Sequence, residues 1–313
     1  MKGITNVLSL FDGISCGQLA LEKAYIPYSA YYASEIDKYS ISVTQRAYPN
    51  TIQLGDIKTL DIDNLPTIDL LLAGFPCQSF SFAGDMKGFD DQRGSLFFHC
   101  IYALKALKPK YFLFENVKMK GAYRDEISKL VGVEPILINS NLVSAQNRPR
   151  LYWTNIPGIV QPHDVGVLIE DILEDDVHGF ELSGNSVTTY DLDKYYHSNI
   201  VANFTERRTE ESKRIRREHM KTHGKDWSPR RGKELTPRTD GKVNCLTTGL
   251  TKEHIVIDKK GEIRWLTPLE FERLQCIPDG YTVGGTNGQR YKALGNGWTV
   301  DVISHIVAQN KHS

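Results

Sequence analysis

The chain has no run of the roughly 18 apolar residues that a membrane helix needs, so no span is expected. It has no net charge either: 38 Lys and Arg offset 38 Asp and Glu. The whole-chain balance therefore selects no partner. Its five cysteines are an odd number, widely spaced, with no CxxC pair. That pattern excludes a disulfide framework and a cysteine zinc site, and it fits a reducing cytosol. Met1-Lys2-Gly3 leads straight into a strand pattern, so no signal peptide is expected and the expected location is cytoplasmic. There is no GxGxxG, which argues against a dinucleotide site. Internal repeats and low-complexity linkers are missing too. What remains is an ordinary globular composition: 313 residues, 40% apolar and 24% charged, enough for one large α/β domain and a smaller one.

The stretch that organises the chain is Gly74-Phe75-Pro76-Cys77-Gln78-Ser79-Phe80-Ser81. It follows the apolar run 68–73, which reads as a buried strand of a parallel sheet. The carboxyl edge of such a sheet is where ligands sit. Pro76 fixes its own φ and restricts Phe75, so the loop leaves the strand in a rigid shape. A cysteine held there suits nucleophilic attack if its thiolate is favoured. A buried structural cysteine is the ordinary alternative.

Other strand ends supply polar groups to the same edge. Residues 7–11 form a short strand that runs into Asp12-Gly13-Ile14-Ser15-Cys16-Gly17 and then a helix. A strand, a glycine-bearing turn and a helix N-terminus can cradle a nucleotide. A second strand, 30–34, ends in Glu35, an acid able to accept from ribose hydroxyls. Its alternative role is a helix cap, which Asp37 fills better. A third strand ends in Gly55-Asp56-Ile57. Asp56 suits an adenine amino group with Ile57 against the ring, or is simply a turn residue. Together these ends favour an adenosine-containing cofactor.

A fifth strand, 111–114, ends in Glu115-Asn116-Val117. It puts Glu115 at the edge of Cys77 if the two strands are neighbours. A carboxyl beside an apolar strand suits proton donation. After strand 135–138, residues 139–150 hold no good helix, so 151–154 is expected to pair antiparallel. The connection carries Gln146-Asn147-Arg148-Pro149-Arg150. Its two arginines suit clamping of a carbonyl or phosphate, or are exposed charge.

Patterning weakens between about 155 and 263, as expected of a separate domain. Residues 204–233 carry eleven Lys and Arg against five Asp and Glu. Arg207, Arg208, Arg214, Arg216, Arg217, Arg230 and Arg231 suit a phosphate backbone and base edges. A solvated charged helix over 206–221 is the alternative. Thr267-Pro268-Leu269-Glu270 is a capping box with Pro at the first helical position. A last amphipathic helix follows Gly295-Asn296-Gly297-Trp298-Thr299, and it is expected to return and cover the first domain.

These pieces, in this order, resemble the DNA (cytosine-5) methyltransferases of bacterial and phage type. The carriers are Phe11-Asp12-Gly13 through Gly17, Glu35, Gly55-Asp56-Ile57, Gly74-Phe75-Pro76-Cys77-Gln78, Arg93-Gly94-Ser95-Leu96-Phe97, Glu115-Asn116-Val117, Gln146 through Arg150, Leu266 through Leu274, and Gly295-Asn296. They cover roughly two thirds of the chain. Two departures stand out. Ile36 follows Glu35 where many members place a tryptophan, and Trp298 stands where many bacterial members have valine.

The resemblance implies a Rossmann-like α/β methyltransferase sheet, mostly parallel with the last strand antiparallel, and a smaller irregular target-recognition domain. It implies domains at 1–154, 155–262 and 263–313. It implies S-adenosylmethionine as cofactor without a metal, held by Phe11, Gly13, Ser15, Gly17, Glu35, Ile36, Asp56, Ile57, Pro76, Leu96, Asn296 and Trp298. Cys77 is the implied nucleophile on carbon 6 of a flipped-out cytosine, and Glu115 acts at ring nitrogen 3. Arg148 is expected on the base carbonyl, with Arg150 supporting the loop. Gln78, Ser81 and the basic stretch are expected against double-stranded DNA. A cognate restriction endonuclease is a candidate partner, and a monomer is the expected state. An RNA cytosine methyltransferase is the nearest alternative, but its Cys-Phe-Thr tripeptide is absent.

Overall fold

The central strands are apolar on both faces because both faces are covered. Val7, Leu70, Leu72 and Leu113 pack on one side of a sheet; Leu8, Leu10, Leu71, Phe112 and Phe114 pack on the other. This is the alternation of a buried parallel sheet. The computed structural model describes residues 3–76, 95–119, 121–182, 192–195, 200–227 and 232–309. Its first sheet comprises β1 (Asn6–Leu10), β2 (Ala30–Ser34), β3 (Ile52–Gln53), β4 (Leu70–Ala73), β5 (Tyr111–Val117), β6 (Ile136–Asn139) and β7 (Pro149–Thr154). The order is β3-β2-β1-β4-β5-β7-β6. As expected, β7 runs antiparallel, and it lies between β5 and β6, pairing with both.

The helices are α1 (Cys16–Lys23), α2 (Lys38–Ala47), α3 (Ser95–Leu107), α4 (Gly121–Val131), α5 (Ile169–Ile172), α6 (Glu210–His223), α7 (Pro268–Leu274), α8 (Asn287–Asn296) and α9 (Val300–Ala308). The face of Val7 is covered by α1, α2 and α9, the opposite face by α3 and α4. The return of α9 to the first sheet is as expected. Lys23 on α1 pairs with Asp301 on α9. The chain reverses direction across the sheet between β1 and β4, which are neighbours. That reversal is the topological switch point, where α/β sheets bind ligands.

A second sheet has the order β11-β10-β8-β9, from β8 (Ala202–Arg208), β9 (Lys233–Pro237), β10 (Ile255–Ile257) and β11 (Ile263–Trp265). Phe204, Leu235, Ile255, Ile257 and Ile263 form its own core. The return to the first sheet was expected at residue 263. Instead β11 pairs with β10, so the chain leaves the second sheet after Trp265. The capping box then opens α7, with Thr267 Oγ1 accepting from the Glu270 amide and Glu270 accepting from the Thr267 amide. No helix among the described residues is long and apolar enough to cross a membrane.

Candidate active site

Strand β5 runs beyond the expected 111–114 because its end is paired. Glu115 lies opposite Tyr152, and Val117 lies opposite Arg150. By strand alternation Glu115 shares the face of Leu113, toward the returning C-terminal segment. The carboxylate is 9% exposed and held at both oxygens. Arg150 Nε lies 3.0 Å from Oε1. Trp298 Nε1–H donates to Oε2 at 3.1 Å. Neighbouring Asn116, also buried, donates from Nδ2 to the Phe75 carbonyl at 3.1 Å. Phe75 is further fixed by its ring on Phe97, with centroids 4.9 Å apart. The start of the loop after β4 is thereby tied to the strand that carries Glu115. No role for Asn116 is legible in sequence; its signal was only its place after the acid.

The two arginines have different partners. Arg148 is 4% exposed and is spent on main-chain carbonyls. It donates to Leu246 at 3.2 Å and to Gly295 and Gly297, each at 2.9 Å. Burial pushes its pKa down, with the charge of Arg150 adding to the effect. Arg148 therefore joins β7 to the second-sheet segment and to the end of α8, rather than presenting itself to a base. Arg150 is the arginine at the carboxylate, and Nη2 also reaches the Cys245 sulfur at 3.6 Å. Burial works against its charge, but the carboxylate of Glu115 and the Cys245 sulfur leave its pKa raised.

At the ends of β1 and β2 the backbone is strained. Phe11, Gly13 and Ser15 all have positive φ, at 58, 59 and 60°. Such strain persists where the surroundings over-determine it, and it clusters at functional sites. The Gly13 amide donates to Glu35 Oε2 at 2.8 Å, and Glu35 Oε1 accepts from the Ile36 and Asp37 amides at 2.7 Å. Asp37 caps α2, as expected, through the Ser40 amide. Beside them Ile36 is 68% exposed, an apolar face with nothing over it.

The other residues expected at the cofactor have the following surroundings. Gly17 is glycine for packing: a Cβ there would meet the Tyr31 hydroxyl at 2.5 Å and Leu72 at 2.8 Å. Ser15 is buried, its hydroxyl accepting from Gln18. Ile57 is 3% exposed, so its side chain belongs to the core rather than to a ring-binding face. Asp56 caps its own turn, accepting from the Lys58 amide. Leu96 packs against the same core as Ile57, while Pro76 and Asn296 are exposed. Cys77, Gln78, Ser81, Arg93, Gly94, Arg230 and Arg231 lie outside the described residues.

The family model for C-5 cytosine-specific DNA methylase matches residues 5–312. The chain belongs to that family. It is 31% identical to the type II methyltransferase M.NlaX of Neisseria lactamica, over 97% of this chain and 96% of that protein. It is 30% identical to M1.ScrFI of Lactococcus lactis subsp. cremoris, over 97% of this chain and 77% of that one. In fold it is similar to DNMT2 of Spodoptera frugiperda, in a triple-mutant crystal structure, with a TM-score of 0.63 and 20% identity. That likeness covers 97% of this chain and 99% of the other. The chain is thus a DNA cytosine-5 methyltransferase dependent on S-adenosylmethionine.

Whether this methylase can hold its cofactor is tested by Asp12. Its Oδ1 accepts from the Tyr31 hydroxyl at 2.9 Å, while Oδ2 is buried without a partner among the described residues. Burial pushes its pKa up to about 6, against the hydrogen bond from Tyr31. An unpaired buried carboxylate oxygen is costly and calls for a donor or a cation. S-adenosylmethionine is cationic at its sulfonium and its ammonium group, so it fits. Asp12 stands within the Phe11-Asp12-Gly13 motif, yet sequence reading gave it no role.

The methylase's basic stretch is only partly available. Arg214 pairs with Glu211 and Glu218 along α6. Arg216 pairs with Asp226. These two follow the solvated-helix alternative. Arg207 and Arg217 are exposed, and Arg208 is half-buried on β8. Thr209 caps α6 through the Ser212 amide, and Gly224 ends it at φ 64°.

Proposed function

We propose that this chain methylates carbon 5 of a cytosine flipped out of a specific DNA site, through a covalent bond to Cys77. The observation that carries the reading is the doubly held Glu115, one residue from an asparagine that grips the start of the Cys77 loop. Thiolate attack by Cys77 forms a sulfur–carbon 6 bond and breaks the 5,6 double bond. The displaced charge moves toward ring nitrogen 3, where Glu115 holds or donates a proton. Arg150, beside Glu115, is assigned to the base carbonyl in place of Arg148. Carbon 5 becomes enamine-like and nucleophilic. When bound, S-adenosylmethionine supplies the electrophilic methyl group for that carbon. Asp12, Gly13, Glu35 and Ile36 would hold it. Loss of the carbon-5 proton and of the thiolate then restores the ring and the enzyme.

Flipping the base costs a few kcal/mol. The second sheet, with its own core, is assigned to target recognition, and Arg207, Arg208 and Arg217 to phosphate contacts that offset that cost. Relatives include both type II and orphan phage methyltransferases, so an endonuclease partner is a separate question. Bisulfite sequencing of DNA from a host expressing the chain tests the reading. Protected cytosines at one recurring sequence are expected. An unmodified genome, with methyl uptake into tRNA instead, would contradict it.

A further inference from the structure

We propose that Trp298 is a positioning residue for Glu115, and that Gly74 is glycine because the indole occupies its space. The inference rests on the assignment of Glu115 as the acid. An indole N–H is a donor with one direction, and this one donates to Glu115 Oε2 at 3.1 Å. The other carboxylate oxygen is held by Arg150 from β7. Two donors from separate segments, one per oxygen, fix the carboxylate plane. A single donor would leave it free to turn about its terminal torsion.

Gly74 supplies an independent observation. It does not have a positive φ, so no turn requires glycine there. A Cβ at Gly74 would meet Trp298 Nε1 at 2.7 Å and two further indole carbons at 3.1 and 3.2 Å. The indole thus lies directly against the strand end that leads to Cys77. Its main chain is immobilised on both sides. The Gly297 carbonyl accepts from Arg148 and Gln275. Thr299 Oγ1 donates to Gln275 and accepts from Ser140. Sequence reading placed Trp298 in the cofactor pocket alone. The geometry makes it the part that sets the acid's orientation as well, in a chain whose Gly74 leaves room for it.

The test compares Trp298→Phe, which keeps a ring and removes the donor, with Glu115→Gln and the parent enzyme. Single-turnover methylation of DNA, cofactor affinity by calorimetry and thermal melting are measured on each. The expected result for Trp298→Phe is a single-turnover rate, measured with cofactor and DNA both saturating, lower by roughly tenfold or more. A parental rate in Trp298→Phe, with Glu115→Gln slow, would overturn the positioning role and leave the acid assignment standing. A parental rate in Glu115→Gln would overturn the acid assignment itself. If Trp298→Phe does not fold, Trp298→Leu carries the same comparison. Gly74→Ala, which pushes on the indole, is expected to slow the same step, and a parental rate there would contradict the contact.

Discussion

Asp12 concentrates the residue-scale argument. Its carboxyl is held up to about 6 by burial, and one oxygen has no partner among the described residues. A cationic ligand favours the ionised form. Cofactor affinity should therefore be full above pH 6 and fall as pH drops through about 6, by up to roughly tenfold per unit. Asp12→Asn should bind more weakly, with a flatter pH profile. Calorimetric titration between pH 5 and 8 measures both, and a pH-independent parent would contradict the assignment. The sequence named the motif around Asp12 but not the residue. Burial and an unfilled hydrogen bond are properties of the folded site, and no local pattern encodes them. The same limit applies to the packing of Ile57 in the core and to the lack of room for a Cβ at Gly17.

At the scale of the element, β7 decides which arginine does what. Successive side chains on a strand point to opposite faces, but Arg148 precedes β7 and Arg150 lies within it. Spacing alone made them equivalent; pairing of Val117 with Arg150 separates them. Arg148→Ala should take a donor from three carbonyls, of which Gly297 keeps Gln275, and lower unfolding free energy by at least about 2 kcal/mol. Arg150→Ala leaves the buried Glu115 carboxylate without its charge partner, so it too should lose stability, and it should lose most of its turnover under conditions where circular dichroism shows it folded. A folded Arg150→Ala with parental turnover would contradict this division. Helix α6 divides its charges in a similar way. Arg214→Ala removes intrahelical ion pairs and should barely change the salt dependence of DNA binding. Arg207→Ala and Arg217→Ala should each reduce the log–log slope by about one. Alternation and turn residues made the strands legible, and the lack of a helix before β7 made its antiparallel pairing so. The partners of each surface arginine were less so: Arg216 pairs with Asp226, ten residues on and beyond the end of α6.

For the whole molecule, the sheet of the first half is completed by the last helix of the chain. The C-terminal segment brings Trp298 to Glu115 and packs α9 on α1. This long-range return was expected from the amphipathic pattern of the last helix. The division of the middle segment was less legible, since β11 looks in sequence like the start of the return and pairs with the second sheet instead. The account as a whole stands on a bond between Cys77 and carbon 6 of cytosine. Fluorine at carbon 5 cannot leave as a cation, so elimination is blocked once the methyl group has been transferred. DNA substituted with 5-fluorocytosine, incubated with enzyme and S-adenosylmethionine, should therefore yield a denaturation-resistant complex. Mass spectrometry should locate the adduct on Cys77, and Cys77→Ala should form none. A parent enzyme that methylates ordinary DNA but forms no adduct on the fluorinated duplex, or an adduct that survives Cys77→Ala, would contradict the account.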